Sequence, residues 1–185
     1  MSNNNNNMNN KSMKTREDLL GLINMLKSED LQEKCTPYTL KQLGYFCNPN
    51  HIFHRYRNFT IPKKSGEPRQ ITAPYSDSYM YLLAYVNKII QSLHTPSEHT
   101  MGFVPGRCIV DNAATHIGMN YVFNIDLKDF FPSIERRRIC ARLQAKPFCL
   151  SQEVALAIAG LCCMRVENGI DTEGNKQYKY VLPQG

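Results

Sequence analysis

The chain has 185 residues, of which 42% are hydrophobic and 21% charged; it can bury one core, and its composition is that of a soluble globular protein, not of a disordered or membrane-spanning one. Twenty-two Lys and Arg against 16 Asp and Glu leave a net charge of +6 and a pI near 8.9, a balance that suits a polyanionic partner without naming one. Seven cysteines without disulfide-like spacing, and an N-terminus that lacks the basic-then-apolar pattern of a secretory leader, fit a cytoplasmic protein with reduced thiols.

Residues 1–14 are Asn-rich and offer nothing to bury, so they are expected to be disordered. Thr15 with Asp18 three residues on is a helix start, and Leu19, Leu20, Ile23 and Leu26 form one apolar face behind it. Thr36-Pro37 opens a second short helix, with proline at its first position. Tyr56–Ile61 and Arg69–Thr72 are extended runs around Pro62-Lys63-Lys64-Ser65-Gly66-Glu67-Pro68, which reads as a β-hairpin with a basic tip. Asp77 opens a helix with Leu82, Val86, Ile89, Ile90 and Leu93 at helical spacing. A loop at Thr95–Arg107 leads to a helix at Ile109–Gly118.

Tyr121–Leu127 has the period of a strand, with Tyr121, Phe123, Ile125 and Leu127 on one face. Pro132-Ser133 starts another helix, and Ser151 caps one running through Val154–Cys163. The apolar run Val154–Met164 is too short to cross a bilayer. Met164–Val181 reads as two strands around an Asp171–Asn175 turn. The sum is an α+β chain without internal repeats.

Chemistry concentrates in Asn124-Ile125-Asp126-Leu127-Lys128-Asp129-Phe130-Phe131-Pro132-Ser133-Ile134. An acid ends an apolar strand, a second acid follows three residues later, and an aromatic pair adjoins it. Hard carboxylate oxygens held rigidly at a strand end are what phosphoryl transfer uses to keep Mg²⁺ beside phosphates. A lone Asp in that position is more simply a solvated strand end; the whole string argues otherwise.

That string resembles motif A of the reverse transcriptases found in retrons and group II introns. In the same order along the chain, Phe59–Pro74 resembles the family's fingers hairpin, and Gly102-Phe103-Val104-Pro105-Gly106-Arg107 its next block. Asn112-Ala113-Ala114-Thr115-His116 is similar to the Asn-Ala-x-x-His pattern of retron enzymes, and Leu182-Pro183-Gln184-Gly185 to the opening of motif B. Each match is short, but together they cover roughly residues 50–185.

The resemblance implies that residues 15–185 form the fingers and part of the palm of a right-hand polymerase, in an RNA-directed DNA polymerase that uses Mg²⁺. It implies Asp126, with Leu127 beside it, at the metal. Residues 127–131, including Asp129, Phe130 and Phe131, would cover the triphosphate, with Phe131 under the sugar so that its ring excludes a 2′-hydroxyl. Arg69, and Lys63 or Lys64, would grip the triphosphate of the incoming dNTP. Gln184 would lie beside nucleotide and template. Arg107, Asn112 and His116 would touch template or an RNA partner, or else serve as a helix cap and a satisfied histidine. The expected partners are an RNA template, its DNA product and a retron noncoding RNA, in a setting of phage defence.

The family's Tyr-x-Asp-Asp motif does not occur in these 185 residues, so the resemblance implies that they do not polymerise DNA alone. A group II intron enzyme and a non-catalytic RNA-binding module are the competing readings. Cys47, His51 and His54 match no zinc spacing closely and read as structural. Tyr178 and Tyr180 alternate as strand residues do, with base stacking the lesser alternative.

Overall fold

The computed structural model describes residues 13–31, 36–51, 55–62, 66 and 68–184. The expected disorder of residues 1–12 and the basic hairpin tip at Lys63 and Lys64 lie outside the described residues, as does His54. Among the described residues, six α-helices and two β-hairpins give a mixed α+β architecture.

Helix α1 (Arg16–Leu31) starts as the sequence predicts. The Asp18 amide donates to the Thr15 hydroxyl at 3.2 Å and the Thr15 amide to the Asp18 carboxylate at 3.0 Å, a reciprocal cap. Just ahead of it, Met13 is buried and the Lys14 carbonyl accepts from the Ser151 hydroxyl, so the end of the Asn-rich segment is tied to the fold. Helix α2 (Leu40–Cys47) begins three residues after the expected proline start. Thr39 and Gln42 form a full capping box, which satisfies the first free amides there. The Tyr38 amide is instead drawn to Asn24 of α1.

Strands β1 (Tyr56–Pro62) and β2 (Pro68–Pro74) pair antiparallel from Tyr56↔Pro74 to Pro62↔Pro68. Helix α3 (Asp77–Ser92) is capped by Ser76 and buries Tyr79, Leu82, Tyr85, Val86 and Ile89 at the predicted spacing. Helix α4 (Ile109–Ala114) is shorter than its sequence pattern and buries nothing. Phe131–Ser133 forms a single 3₁₀ turn, and α5 (Arg136–Gln144) follows, so the helix expected at Pro132 opens only after Glu135. Helix α6 (Gln152–Cys162), capped by Ser151, leads into the hairpin β3 (Met164–Ile170) and β4 (Lys176–Val181). Gly174, at φ +85°, and Asp171, whose carboxylate accepts from the Glu173 and Asn175 amides, close its turn.

Helix α6 is the centre of the molecule. Val154, Ala155, Ala157, Ile158, Ala159, Gly160 and Leu161 are all buried, and such an all-round apolar helix belongs inside. Leu19 and Ile23 of α1, Leu43 of α2, Leu82 and Ile89 of α3 and Leu143 of α5 complete the core. Among the described residues no helix is long and apolar enough to cross a membrane.

One expectation fails. Tyr121–Leu127 forms no strand and joins no ladder among the described residues. Tyr121, Phe123 and Ile125 are 93%, 86% and 74% exposed on one side, and Val122, Asn124 and Asp126 are exposed on the other, so neither face of the alternating segment is covered. Period-two hydrophobicity marks a segment able to pair; a strand also needs neighbouring backbone donors and acceptors.

Candidate functional site

The segment that carries Asp126 folds back on hairpin β1–β2. Phe130 and Phe131 meet edge to face with ring centroids 5.5 Å apart. Pro132 seeds the 3₁₀ turn, in which the Ser133 amide lies within hydrogen-bonding distance of the Asp129 and Phe130 carbonyls and its hydroxyl donates to Phe130. Asp129 sits at φ +50°, a left-handed conformation that Asp adopts more readily than most residues.

The chain then reaches the hairpin by a second route. The Leu182 amide donates to the Ile134 carbonyl at 3.1 Å, and the Thr72 amide of β2 donates to the Gln184 carbonyl at 2.9 Å. Leu182–Gln184 thereby links the 3₁₀ turn to β2 and sets Gln184 beside it.

An open cavity of about 970 Å³ is lined by Pro68, Arg69 and Gln70 of β2, by Phe103, by residues 126–131 and by Gln184. Seven residues singled out from the sequence therefore share one cavity: Arg69, Asp126, Leu127, Asp129, Phe130, Phe131 and Gln184. Two carboxylates and two cations, Arg69 and Lys128, face the same space. Magnesium takes one or two protein carboxylates and completes its shell with water and phosphate oxygens, and Asp126 and Asp129 are the carboxylates in this cavity that could hold it. Leu127 has only its backbone carbonyl to offer. Among the described residues no three His, Cys, Asp or Glu side chains converge as a metal cage.

No family model matches the chain. Curated relatives do. It is 28% identical over 167 residues to the retron Ec86 reverse transcriptase of Escherichia coli, an alignment covering 90% of this chain and 46% of that protein. It is 33% identical to two Myxococcus xanthus proteins: the retron Mx162 reverse transcriptase over 121 residues (62% of this chain, 24% of that one) and the retron Mx65 reverse transcriptase over 127 residues (68% and 29%). The chain is a relative of the retron reverse transcriptases. It spans less than half the length of each of these three.

Of the remaining predicted residues, the described ones, Arg107, Asn112 and His116, do not line the Asp126 cavity. Arg107 is half-buried, and its Nη1 lies within hydrogen-bonding distance of the Ser97, Glu98 and Thr100 carbonyls, so it braces its own loop. Asn112 is exposed on α4. His116 is exposed and lines a different cavity of about 720 Å³ with Tyr121 and Phe123. His51 stacks on Tyr45 and its Nδ1 lies 3.0 Å from the Tyr45 carbonyl, a structural role.

The sequence reading assigned no role to three lining residues, Pro68, Gln70 and Phe103. All three stand inside strings already recognised. Phe103 is 95% exposed at φ +60°, uncommon for a bulky residue, and its place between Gly102 and a Val-Pro-Gly run was the available clue.

Arg55 was missed entirely. It is 1% exposed at the foot of β1. Its Nη2 lies 2.6, 3.0 and 3.1 Å from the carbonyls of Gly160, Leu161 and Cys163 and 3.0 Å from the Tyr79 hydroxyl. A cation thus caps the C-terminal end of α6, where carbonyls lack helical partners and the dipole is negative. The Arg55 carbonyl accepts from the Tyr75 amide and closes the hairpin base, so the hairpin bearing Arg69 is anchored on the core. Burial pushes the Cys162 thiol up to about 11 and raises the Tyr56 and Tyr79 phenols, so these neighbours stay neutral around the cation.

Proposed function

We propose that the cavity between β2 and residues 126–131 binds the triphosphate of an incoming deoxynucleotide, and that the chain is the fingers and part of the palm of an RNA-directed DNA polymerase of the retron type. The observation that carries this reading is the convergence of Arg69 with Asp126 and Asp129 on one cavity, from segments far apart in the chain. The similarity to three retron reverse transcriptases supports it.

On this reading Asp126 holds Mg²⁺ together with phosphate oxygens of the nucleotide. Arg69 and Lys128 offset phosphate charge, and Lys63 or Lys64 adds to that from the hairpin tip. Magnesium would supply charge neutralisation at the phosphates. Phe131 sets the floor under the sugar, where an aromatic ring leaves no room for a 2′-hydroxyl. Gln184 is held against β2 by its own backbone and contacts nucleotide and template. Arg107, Asn112 and His116 line the approach of an RNA strand, template or retron noncoding RNA.

The test pairs two measurements. Fluorescent dNTP should bind the 185-residue chain in a Mg²⁺-dependent way, weakened by Arg69→Ala and by Asp126→Asn. A polypeptide carrying these residues at the full length of the retron relatives should incorporate dNTPs on a primed RNA template, and Asp126→Asn should abolish that. RNA binding without incorporation, unchanged by Asp126→Asn, would instead establish a non-catalytic RNA-binding module.

A further inference from the structure

Phe103 lines the Asp126 cavity without serving the core. It is 95% exposed, so both faces of its ring are open and the burial that would stabilise so large an apolar group is forgone. Its backbone is unfavourable as well. At φ +60° the Cβ of a bulky residue crowds the main chain. Glycine relieves such a position, yet the chain sets Gly102 beside it, and Gly102 does not itself adopt a left-handed φ. A side chain that gains nothing from the fold and strains its own backbone points to a ligand, since strained residues persist where they clamp one.

The loop that presents Phe103 is braced on both sides. Val104-Pro105-Gly106-Arg107 closes a turn, with proline second and Gly106 third at φ +78°, and the Arg107 amide donates to the Val104 carbonyl at 3.2 Å. The Arg107 guanidinium reaches back to the Ser97, Glu98 and Thr100 carbonyls ahead of Phe103. The ring is therefore held out by a tied loop, not by a free one.

Three phenylalanines line the cavity. Phe130 and Phe131 pack edge to face on each other and are partly covered. Phe103 comes from a separate segment. On the reading proposed above, Arg69, Lys128 and Asp126 serve the phosphates and Phe131 the sugar, which leaves the base. A site that copies a template takes four bases in turn, so its own contact with the base has to ignore base identity. Hydrogen-bonding side chains distinguish base edges, whereas an aromatic face accepts any base because every base has a π-face.

We propose that Phe103 is a nucleotide-binding residue that stacks on the base of the incoming nucleotide. The proposal rests on the reading of this cavity as a triphosphate site and adds to it the group that holds the base.

The experiment is isothermal titration calorimetry of the 185-residue chain in Mg²⁺ with dATP, dTTP and 2-deoxyribose 5-triphosphate, which carries the same sugar and phosphates without a base. One base–aromatic stack contributes about 5- to 150-fold in affinity. The wild-type chain should bind dATP more tightly than the base-free triphosphate by a factor in that range, and dTTP, with its smaller ring, by a smaller factor. Phe103→Gly removes the ring and relaxes the φ of +60°, so the loop keeps its shape. It should bring both nucleotides down to the affinity of the base-free triphosphate. Phe103→Tyr should keep the preference for a base. Arg69→Ala should weaken all three ligands by the same factor and leave their ratios unchanged.

Equal affinity of the wild-type chain for dATP and the base-free triphosphate would overturn the stacking role while the triphosphate cavity stands. So would a preference that survives in Phe103→Gly. A loss in that variant that falls equally on the base-free triphosphate would also overturn it, and would make Phe103 a prop of its loop. Failure of the wild-type chain to bind any of the three would overturn the cavity reading and this proposal with it.

Discussion

Replacing Gly160 with alanine tests how the core is assembled. A Cβ built on Gly160 lies 2.0 Å from the Cys47 carbonyl oxygen and 3.0 Å from its carbonyl carbon. Ordinary contact begins near 3.4 Å, so α2 must retreat by about 1.4 Å from α6. The obstacle is backbone, and no rotamer relieves it. Neither partner yields easily: the Gly160 carbonyl is held by Arg55, and Leu43 and Cys47 of α2 are buried. Overpacking of this kind costs about 1–3 kcal/mol, and a rigid backbone clash belongs at the upper end. Alanine returns about 1 kcal/mol through its helix propensity. The expected net loss is about 2 kcal/mol, roughly a 30-fold shift in the unfolding equilibrium and a fall in Tm of about 4–8 °C. Gly44 provides the control, because it lies on α2 with nothing within 4 Å of a methyl added there, so Gly44→Ala should stabilise by about 0.5–1 kcal/mol. Urea titrations followed by circular dichroism compare the two. Equal stability of Gly160→Ala and Gly44→Ala would refute the close approach of α2 and α6.

Arg55→Ala removes the donor that serves the Gly160 and Leu161 carbonyls of α6, the Cys163 carbonyl just beyond it and the Tyr79 hydroxyl, and should destabilise by about 3–5 kcal/mol, with Arg55→Lys in between; wild-type urea midpoints for the alanine variant would contradict the capping role. On the proposed reading Phe131→Ala should raise ribonucleotide use relative to deoxyribonucleotide use in the incorporation assay, and unaltered selectivity would remove Phe131 from the sugar site. The Asn175 amide, followed by the backbone amides of Glu173 and Gly174, holds the Asp171 carboxyl below its usual range. A depressed folded pKa means that the turn's stabilisation is complete above the unfolded value of about 3.9 and is lost as pH falls through the lower folded one. Amide exchange at Asn175 should therefore quicken only in strong acid, and a midpoint at or above the ordinary aspartate value would oppose this.

Much of the chain was legible because its causes are local. The caps at Thr15 and Ser151 are bonds between groups three residues apart, and the β3–β4 turn is closed by Asp171 upon its own neighbours. The buried face of α3 follows from spacing alone. Arg69, residues 126–131 and Gln184 could be named because each stands in a string resembling a known family.

What joins them could not be read that way. The meeting of β2 with the Asp126 segment depends on backbone bonds such as Thr72 to Gln184, and any residue can make a backbone bond, so no side chain announces it. Arg55 sits in an ordinary basic run and becomes a helix cap only when α6 ends above it. Gly160 looks like any helical glycine until α2 arrives within contact of it. Tyr121–Leu127 shows the converse case: its alternation was plain in the sequence, yet whether it forms a strand is decided by neighbours, and among the described residues none pairs with it. Sequence periodicity determines which face an element could bury and which groups could cap it. Only tertiary structure decides which distant backbone or side chain comes to meet it, because that choice is made by long-range packing against α6.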